Sequence, residues 1–260
     1  MEKRKGILTG LSLAMAASIL VGCGTDPKEP PIAPTITDSD AVALGALIRL
    51  IWSAVTDATE YRVYSDGTLV ESTTNTQADI DSTDRADIVG VSALGEGGES
   101  GQAQEDLSLA ETTTLNAWSI QDPINPSFVR FNSDGSAVAV LCAESNTAHF
   151  FIAGSAGNLE FRSIQNNLNP CTVNTNVDPF FNDTGGIDYA GSDFAPAPGV
   201  YNDPQSITDQ GVYYIWVDNA PFGTWEATDF YAKVKVTAVS GLQTTLQIGY
   251  QKEGGLRWLK

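Results

Sequence analysis

Four aspartates stand five residues apart, Asp178, Asp183, Asp188 and Asp193, in a stretch from Gln165 to Gln210 rich in Asn, Asp, Gly and Pro. Hard carboxylate oxygens in a glycine-containing loop suit calcium. Asp178, Asp183 and Asp188 are therefore the candidate metal ligands, although their spacing is not the alternate-residue spacing of a helix-flanked calcium loop. His149 is the single histidine of the chain and sits in Ala148-His149-Phe150-Phe151-Ile152. That apolar setting suits a packed strand residue. One imidazole also falls short of the donor set that zinc or copper normally takes.

Nucleophilic chemistry finds little support. A Ser-His-Asp arrangement would have to use His149, and no Gly-x-Ser-x-Gly elbow accompanies it. Asp183-Thr184-Gly185 resembles the three-residue core of aspartic proteases. That chemistry needs two such aspartates sharing a proton, and the chain has one copy, followed by a glycine-rich turn. Among 32 acidic residues, pairs spaced for glycoside hydrolysis carry no information. The expectation is a non-catalytic protein without a cofactor, calcium aside. Pro221-Phe222-Gly223-Thr224-Trp225 lies between two predicted strands. Phe222 and Trp225 are the candidate ligand-binding residues, as a stacking face for a glycan or as anchors for a protein. The competing reading folds Trp225 back over the core.

The elements that would carry these residues are strands. Ala46–Trp52, Tyr61–Tyr64 and Ile88–Ala93 are short β runs, with Ser65-Asp66-Gly67 as a turn. Further on, Phe128–Phe131 and Ser136–Cys142 flank Asn132-Ser133-Asp134-Gly135, and His149–Ala153 and Leu159–Ile164 flank a glycine-containing turn. Val212–Val217 is apolar throughout, as in a buried strand. In Tyr231–Ala238, Lys233, Lys235 and Thr237 alternate with Ala232, Val234 and Val236, which predicts one core face and one solvent face. No segment after the N-terminal apolar run keeps a helical period. The fold class is all-β: a β-sandwich followed by a second antiparallel sandwich or partly closed barrel.

The N-terminus carries Lys3, Arg4 and Lys5, then an uncharged run from Ile7 to Val21 that is short for a bilayer span. Leu20-Val21-Gly22-Cys23 resembles the lipobox of bacterial lipoproteins. The resemblance implies removal of residues 1–22, acylation of Cys23, and a membrane partner reached through that lipid. With Gly24 rather than aspartate next, it also implies the outer membrane, facing the periplasm or the cell surface. Multiple acyl chains make such an anchor nearly permanent. If Cys23 is lipidated, Cys142 and Cys171 remain as an even pair in an oxidising compartment, and a disulfide between them is expected. Residues 23–34 include four prolines and read as an extended spacer lifting the body off the membrane. The formal net charge is −18, and losing one acid and three bases with residues 1–22 deepens it. Such a chain repels nucleic acid and anionic lipid, so neither is an expected partner by charge.

Residues 35–110 resemble a fibronectin type III domain: Pro31 and Pro34 lead in, Trp52 lies on the second strand, Tyr61-x-Val63-Tyr64-x-Asp66-Gly67 on the third, and Val91-x-Ala93 precedes Gly95–Ser100. The tyrosine expected about four residues before Val91 falls near Asp87, a departure from that family. The resemblance implies a spacer or adhesive module with Trp52 in its core. Residues 115–260 form the second domain. Its closing hairpin, Tyr231–Thr237 through Gly249-Tyr250-Gln251, is similar to HmuY-type haem-binding lipoproteins, which ligate iron through two side chains, commonly His or Met. Beyond residue 22 this chain holds one His and no Met. The leading expectation is a lipid-anchored envelope protein that binds a glycan or a protein through loops of the second domain; the alternative is a haem or small-ligand carrier.

Overall fold

Along Leu47–Trp52 and Tyr61–Ser65 buried and half-buried side chains alternate, as in strands that turn one face to the core. The computed structural model describes residues 27–165, 171, 177–219 and 223–260. Cys23 and Phe222 lie outside the described residues.

The first sandwich opposes two antiparallel sheets. One contains β1 (Ile36–Val42), β2 (Leu47–Trp52) and β5 (Gln77–Asp81), in the order β1-β2-β5. The other contains β3 (Ala58–Ser65), β4 (Thr68–Thr73) and β6 (Ile88–Gly95), with β7 (Gly98–Glu99) and β8 (Ala103–Asp106) both pairing with β6. Ile48, Leu50, Trp52, Val63, Val89 and Val91 fill the core between them. Trp52 meets Tyr61 edge-on at 5.5 Å, and the Tyr61 hydroxyl accepts from the Val55 amide at 2.8 Å. Asp66 and Gly67 both take positive φ in the β3–β4 turn, as a two-residue hairpin demands.

The second sandwich begins at β9 (Ala110–Trp118), a few residues before the expected boundary. Its larger sheet runs β14-β16-β17-β18-β9, where β14 is Asp178–Asp183, β16 Val212–Asp218, β17 Phe230–Ser240 and β18 Gln243–Tyr250. The facing sheet runs β11-β10-β12-β13-β15: β10 is Phe128–Phe131, β11 Ala137–Val140, β12 Phe150–Ser155, β13 Asn158–Ser163 and β15 Gln205–Ser206. Neither sheet closes into a barrel. Phe150, Phe161, Phe181 and Tyr213 pack ring against ring in the core between them, at centroid separations from 5.2 to 5.7 Å. Cys142 and Cys171 are bonded to each other, as expected.

Two features depart from the sequence reading. The spacer does not hang free from Pro27 onward. Lys28 pairs with Glu96, Pro34 is buried, and the Thr35 amide donates to Ser53 Oγ at 3.1 Å. A Cβ on Gly97 would stand 2.0 Å from the Glu29 carbonyl oxygen, so only glycine allows the segment to lie there. Its prolines stiffen a docked strap; they do not make a free spacer.

The second departure is the C-terminal segment. Leu256 and Trp258 belong to the core of the first sandwich, although the chain reaches them last. Trp258 Nε1 donates to the Ala46 carbonyl at 3.1 Å and the Arg257 amide donates to the Gly45 carbonyl at 3.0 Å. Gly45 has φ +76°, and a Cβ there would fall 2.0 Å from the Gly255 carbonyl oxygen. Buried Gln251 ties the seam by donating to the carbonyls of Leu107 at 3.2 Å and Trp258 at 2.8 Å. Arg85 pairs with Asp193 at 2.6 Å, and Arg257 lies over the Phe194 ring at 4.5 Å. The two sandwiches thus share a packed seam.

Candidate functional site

The calcium proposal fails on strand geometry. Asp178 and Asp183 are the first and last residues of β14, which places them about 16 Å apart at the usual rise per residue. No single ion reaches both. Among the described residues, no group of three or more His, Cys, Asp or Glu could hold a metal ion. Each aspartate has local work instead. Asp178 accepts from the Ser163 hydroxyl, and burial with repulsion from Asp203 and Asp218 holds its carboxyl above the usual range. Asp183 accepts from the Gly185 amide at 2.8 Å and Asp188 from the Gly191 amide at 2.7 Å. Asp183-Thr184-Gly185 is accordingly a side-chain-closed turn.

Trp225 is a seam residue. Its Nε1 donates to the Gly255 carbonyl at 3.0 Å, and its ring packs against the core of the first sandwich. The C-terminal segment covers part of this indole, which is half-buried and folded back over the core. The loop carrying Trp225 is fixed by buried Asp229, which accepts from Trp216 Nε1 at 3.0 Å, the Asn219 amide at 3.1 Å and the Glu226 amide at 2.9 Å.

The predicted solvent face of β17 is covered at Lys233, while Lys235 and Thr237 stay half-exposed. Lys233 is 4 % exposed. Register places Glu111, Gly249 and Lys233 side by side across β9, β18 and β17. Gly249 leaves room for the Tyr189 ring; a Cβ there would lie 2.7 Å from its hydroxyl. That hydroxyl contacts both Glu111 carboxylate oxygens at 2.9 Å. The Lys233 ammonium stands 4.5 Å from the ring centroid and donates to the Tyr189 carbonyl at 3.2 Å. Burial lowers the lysine pKa, opposed by Glu111, Asp193 and Asp87, and burial with Glu111 raises that of Tyr189. The Glu111–Tyr189–Lys233 row pins the loop after β14 onto the sheet.

That pinned loop forms one wall of a half-open cleft of about 400 Å³. Asp183, Asp188 and Tyr189 line one side; Asp209, Gln210 and Gly211 line the other, and Lys235 lies at the sheet between them. The second wall is equally fixed. Tyr213 Oη accepts from the Thr208 amide at 2.8 Å, and Gln210 Nε2 donates to the Thr237 carbonyl at 2.6 Å. Asp209 and Lys235 were not singled out by sequence, since the strand and the turn that hold them meet only through the fold. The cleft therefore offers carboxylates, one ammonium, an amide and a phenol edge on a preorganised frame. That is a surface for directional hydrogen bonds.

His149 lies away from the cleft. Its Nδ1 accepts from the Phe131 amide at 3.1 Å, and its ring packs 5.2 Å from that of Phe131. Burial, with Arg130, lowers its pKa from 6.5 to about 4. Glu253, at the seam, moves the other way: burial and repulsion from Glu105, Asp40 and Asp38 push it up to about 7. Linkage gives the signs. The histidine contributes stability present above about pH 6.5 and lost as pH falls towards 4. The glutamate contributes stability present below about pH 4.5 and lost as pH rises through 7. Because the two opposing slopes cancel where they overlap, thermal unfolding midpoints are expected to hold a plateau between about pH 4.5 and 6.5 and to fall on either side. Glu253→Gln should flatten the alkaline limb and His149→Gln the acidic one; an unchanged alkaline limb in E253Q would refute this assignment.

No family model matches the chain, and no curated protein matches it. Among solved structures, it is similar to the crystal structure of a DUF4466 family protein from Parabacteroides merdae ATCC 43184, with a TM-score of 0.39 and 12% identity, over 86% of this chain and 95% of that chain.

Proposed function

We propose that this is a lipid-anchored envelope protein, held by Cys23, that binds a glycan in the cleft between the Asp183–Tyr189 loop and the Thr208–Gly211 turn. The first sandwich serves as a fibronectin type III-like support. The supporting strand order is β1-β2-β5 facing β4-β3-β6-β7, the arrangement of such a module. The observation carrying the binding reading is the cleft: its volume of about 400 Å³ is that of a small-ligand site, and Asp183, Asp188, Tyr189 and Gln210 in its lining are held by hydrogen bonds. A sugar matches such a lining, with hydroxyls for Asp209, Lys235 and Gln210 and an apolar face for Tyr189. Catalysis is not part of the proposal, nor is a cofactor. The haem-carrier alternative gains nothing from His149, whose Nδ1 is engaged by a backbone amide.

A glycan array probed with the folded protein tests the reading. Binding to a defined glycan is expected, with at least roughly tenfold weaker affinity in the Asp209→Asn, Lys235→Gln double variant, the loss of about 1.4 kcal/mol or more. The thermal midpoint should be unchanged, because both groups are at the surface of the cleft. Absence of binding, or equal binding by the variant, would count against a sugar site here; capture of a protein ligand through the same residues would reassign it.

A further inference from the structure

The docked N-terminal strap and the shared seam lie at opposite ends of the first sandwich. Lys28, Glu29 and Pro31 lie against Gly95, Glu96 and Gly97, beside the Ser53–Asp57 loop. On the first sandwich the hydrogen bonds and ion pair of the seam fall on Gly45, Ala46, Arg85 and Leu107, and Lys260 adds a pair with Asp66. Strands β2, β3 and β6 connect these ends, and β3 alone has eight residues, or about 25 Å of strand.

We infer that the strap end of the first sandwich rests against the lipid headgroup layer of the leaflet that holds the anchor, and that the second sandwich is carried on the end away from the membrane. The inference rests on the acylation of Cys23 proposed above. Four residue steps separate Cys23 from Pro27, so the chain between them spans at most about 14 Å. The acylated residue sits at the membrane interface, and the first docked residues cannot stand far above it. The surface that meets the headgroups is the groove of about 760 Å³ bounded by Lys28, Ile32, Thr56, Asp57 and Glu96. Its lining sets Lys28 against Glu29, Asp57 and Glu96, so the tether and not electrostatic attraction keeps it there. Ile32, 78% exposed, is the apolar residue placed to enter the interfacial layer. The first sandwich then acts as a pillar, and the seam makes its upper joint stiff.

The test uses the full acylated chain in vesicles of phosphatidylethanolamine and phosphatidylglycerol containing a headgroup-labelled acceptor. A donor dye is placed on Thr56→Cys, at the strap end, or on Thr68→Cys, at the seam end. The native Cys142–Cys171 pair is oxidised and the Cys23 sulfur is acylated, so the new thiol is the reactive one. Energy transfer is expected to be several-fold stronger from position 56 than from position 68, and to be unaffected by raised salt. Thr59→Cys supplies a second strap-end position should T56C misfold. Equal or reversed transfer from an N-terminus that mass spectrometry finds acylated would overturn the orientation alone. An N-terminus without fatty acid would overturn the orientation together with the anchor.

Discussion

Trp258→Ala is expected to destabilise the protein by about 3–5 kcal/mol, the usual cost of deleting a large core aromatic. The side chain is 1% exposed, and it fills the first sandwich from outside that domain's own sequence. Its removal opens a cavity beside Leu256 and leaves the Ala46 carbonyl without its indole donor. Two effects should appear together in calorimetry. The overall transition should fall, and the single cooperative unfolding of both sandwiches should split into two, because the residue is their shared core. Loss of the midpoint without any splitting would show that the seam contributes packing but no coupling. Trp258→Phe, which keeps most of the volume and loses the Nε1 donor, should recover most of the stability. If W258F proved as damaging as W258A, the hydrogen bond and not the cavity would be the larger contribution.

Reduction of the Cys142–Cys171 bond, or the paired Cys142→Ser, Cys171→Ser change, is expected to cost about 3–4 kcal/mol in the chain-entropy view. The bridge closes a loop with a sequence separation of 29. It holds the turn that leads into β12 to the chain that follows β13, and both flank the aromatic core of the second sandwich. Denaturant midpoints measured with and without reductant give the number directly. A change below about 1 kcal/mol would mean that the reduced chain keeps the same compactness in its unfolded state. Glycan binding by the cleft, which is proposed above and lies on the opposite sheet, should be normal in the surviving folded fraction.

The strands were legible where local pattern decides structure. The apolar run Val212–Val217 became the buried β16, the Asp66-Gly67 pair became a positive-φ hairpin turn, and an even cysteine pair became a disulfide. The errors share one physical cause. Lys233 alternates with apolar residues and so reads as solvent-facing, but alternation reports only that it points away from one core. It cannot report that Tyr189, from a distant loop, will roof the other face. Nothing local assigns Leu256 and Trp258 to the first sandwich, because the core they join there is built by strands far earlier in the chain, and Trp258 donates to Ala46. The aspartates at five-residue intervals looked like one site because spacing was counted along the chain, whereas β14 stretches two of them to its two ends. The cleft stays hidden for the same reason, since Asp209 and Lys235 come to line it only where the turn before β16 meets β17, whose Lys235 pairs with Val212.

The placement of Trp258 has a consequence for biogenesis. Synthesis delivers a chain from its N-terminus, and a self-sufficient first module would fold as soon as it emerged. This one waits for Leu256 and Trp258, which are made long after Ala46 and Ile48, to complete its interior. Its early strands should therefore stay loosely packed until those residues have been added, and the two sandwiches should reach their native packing together.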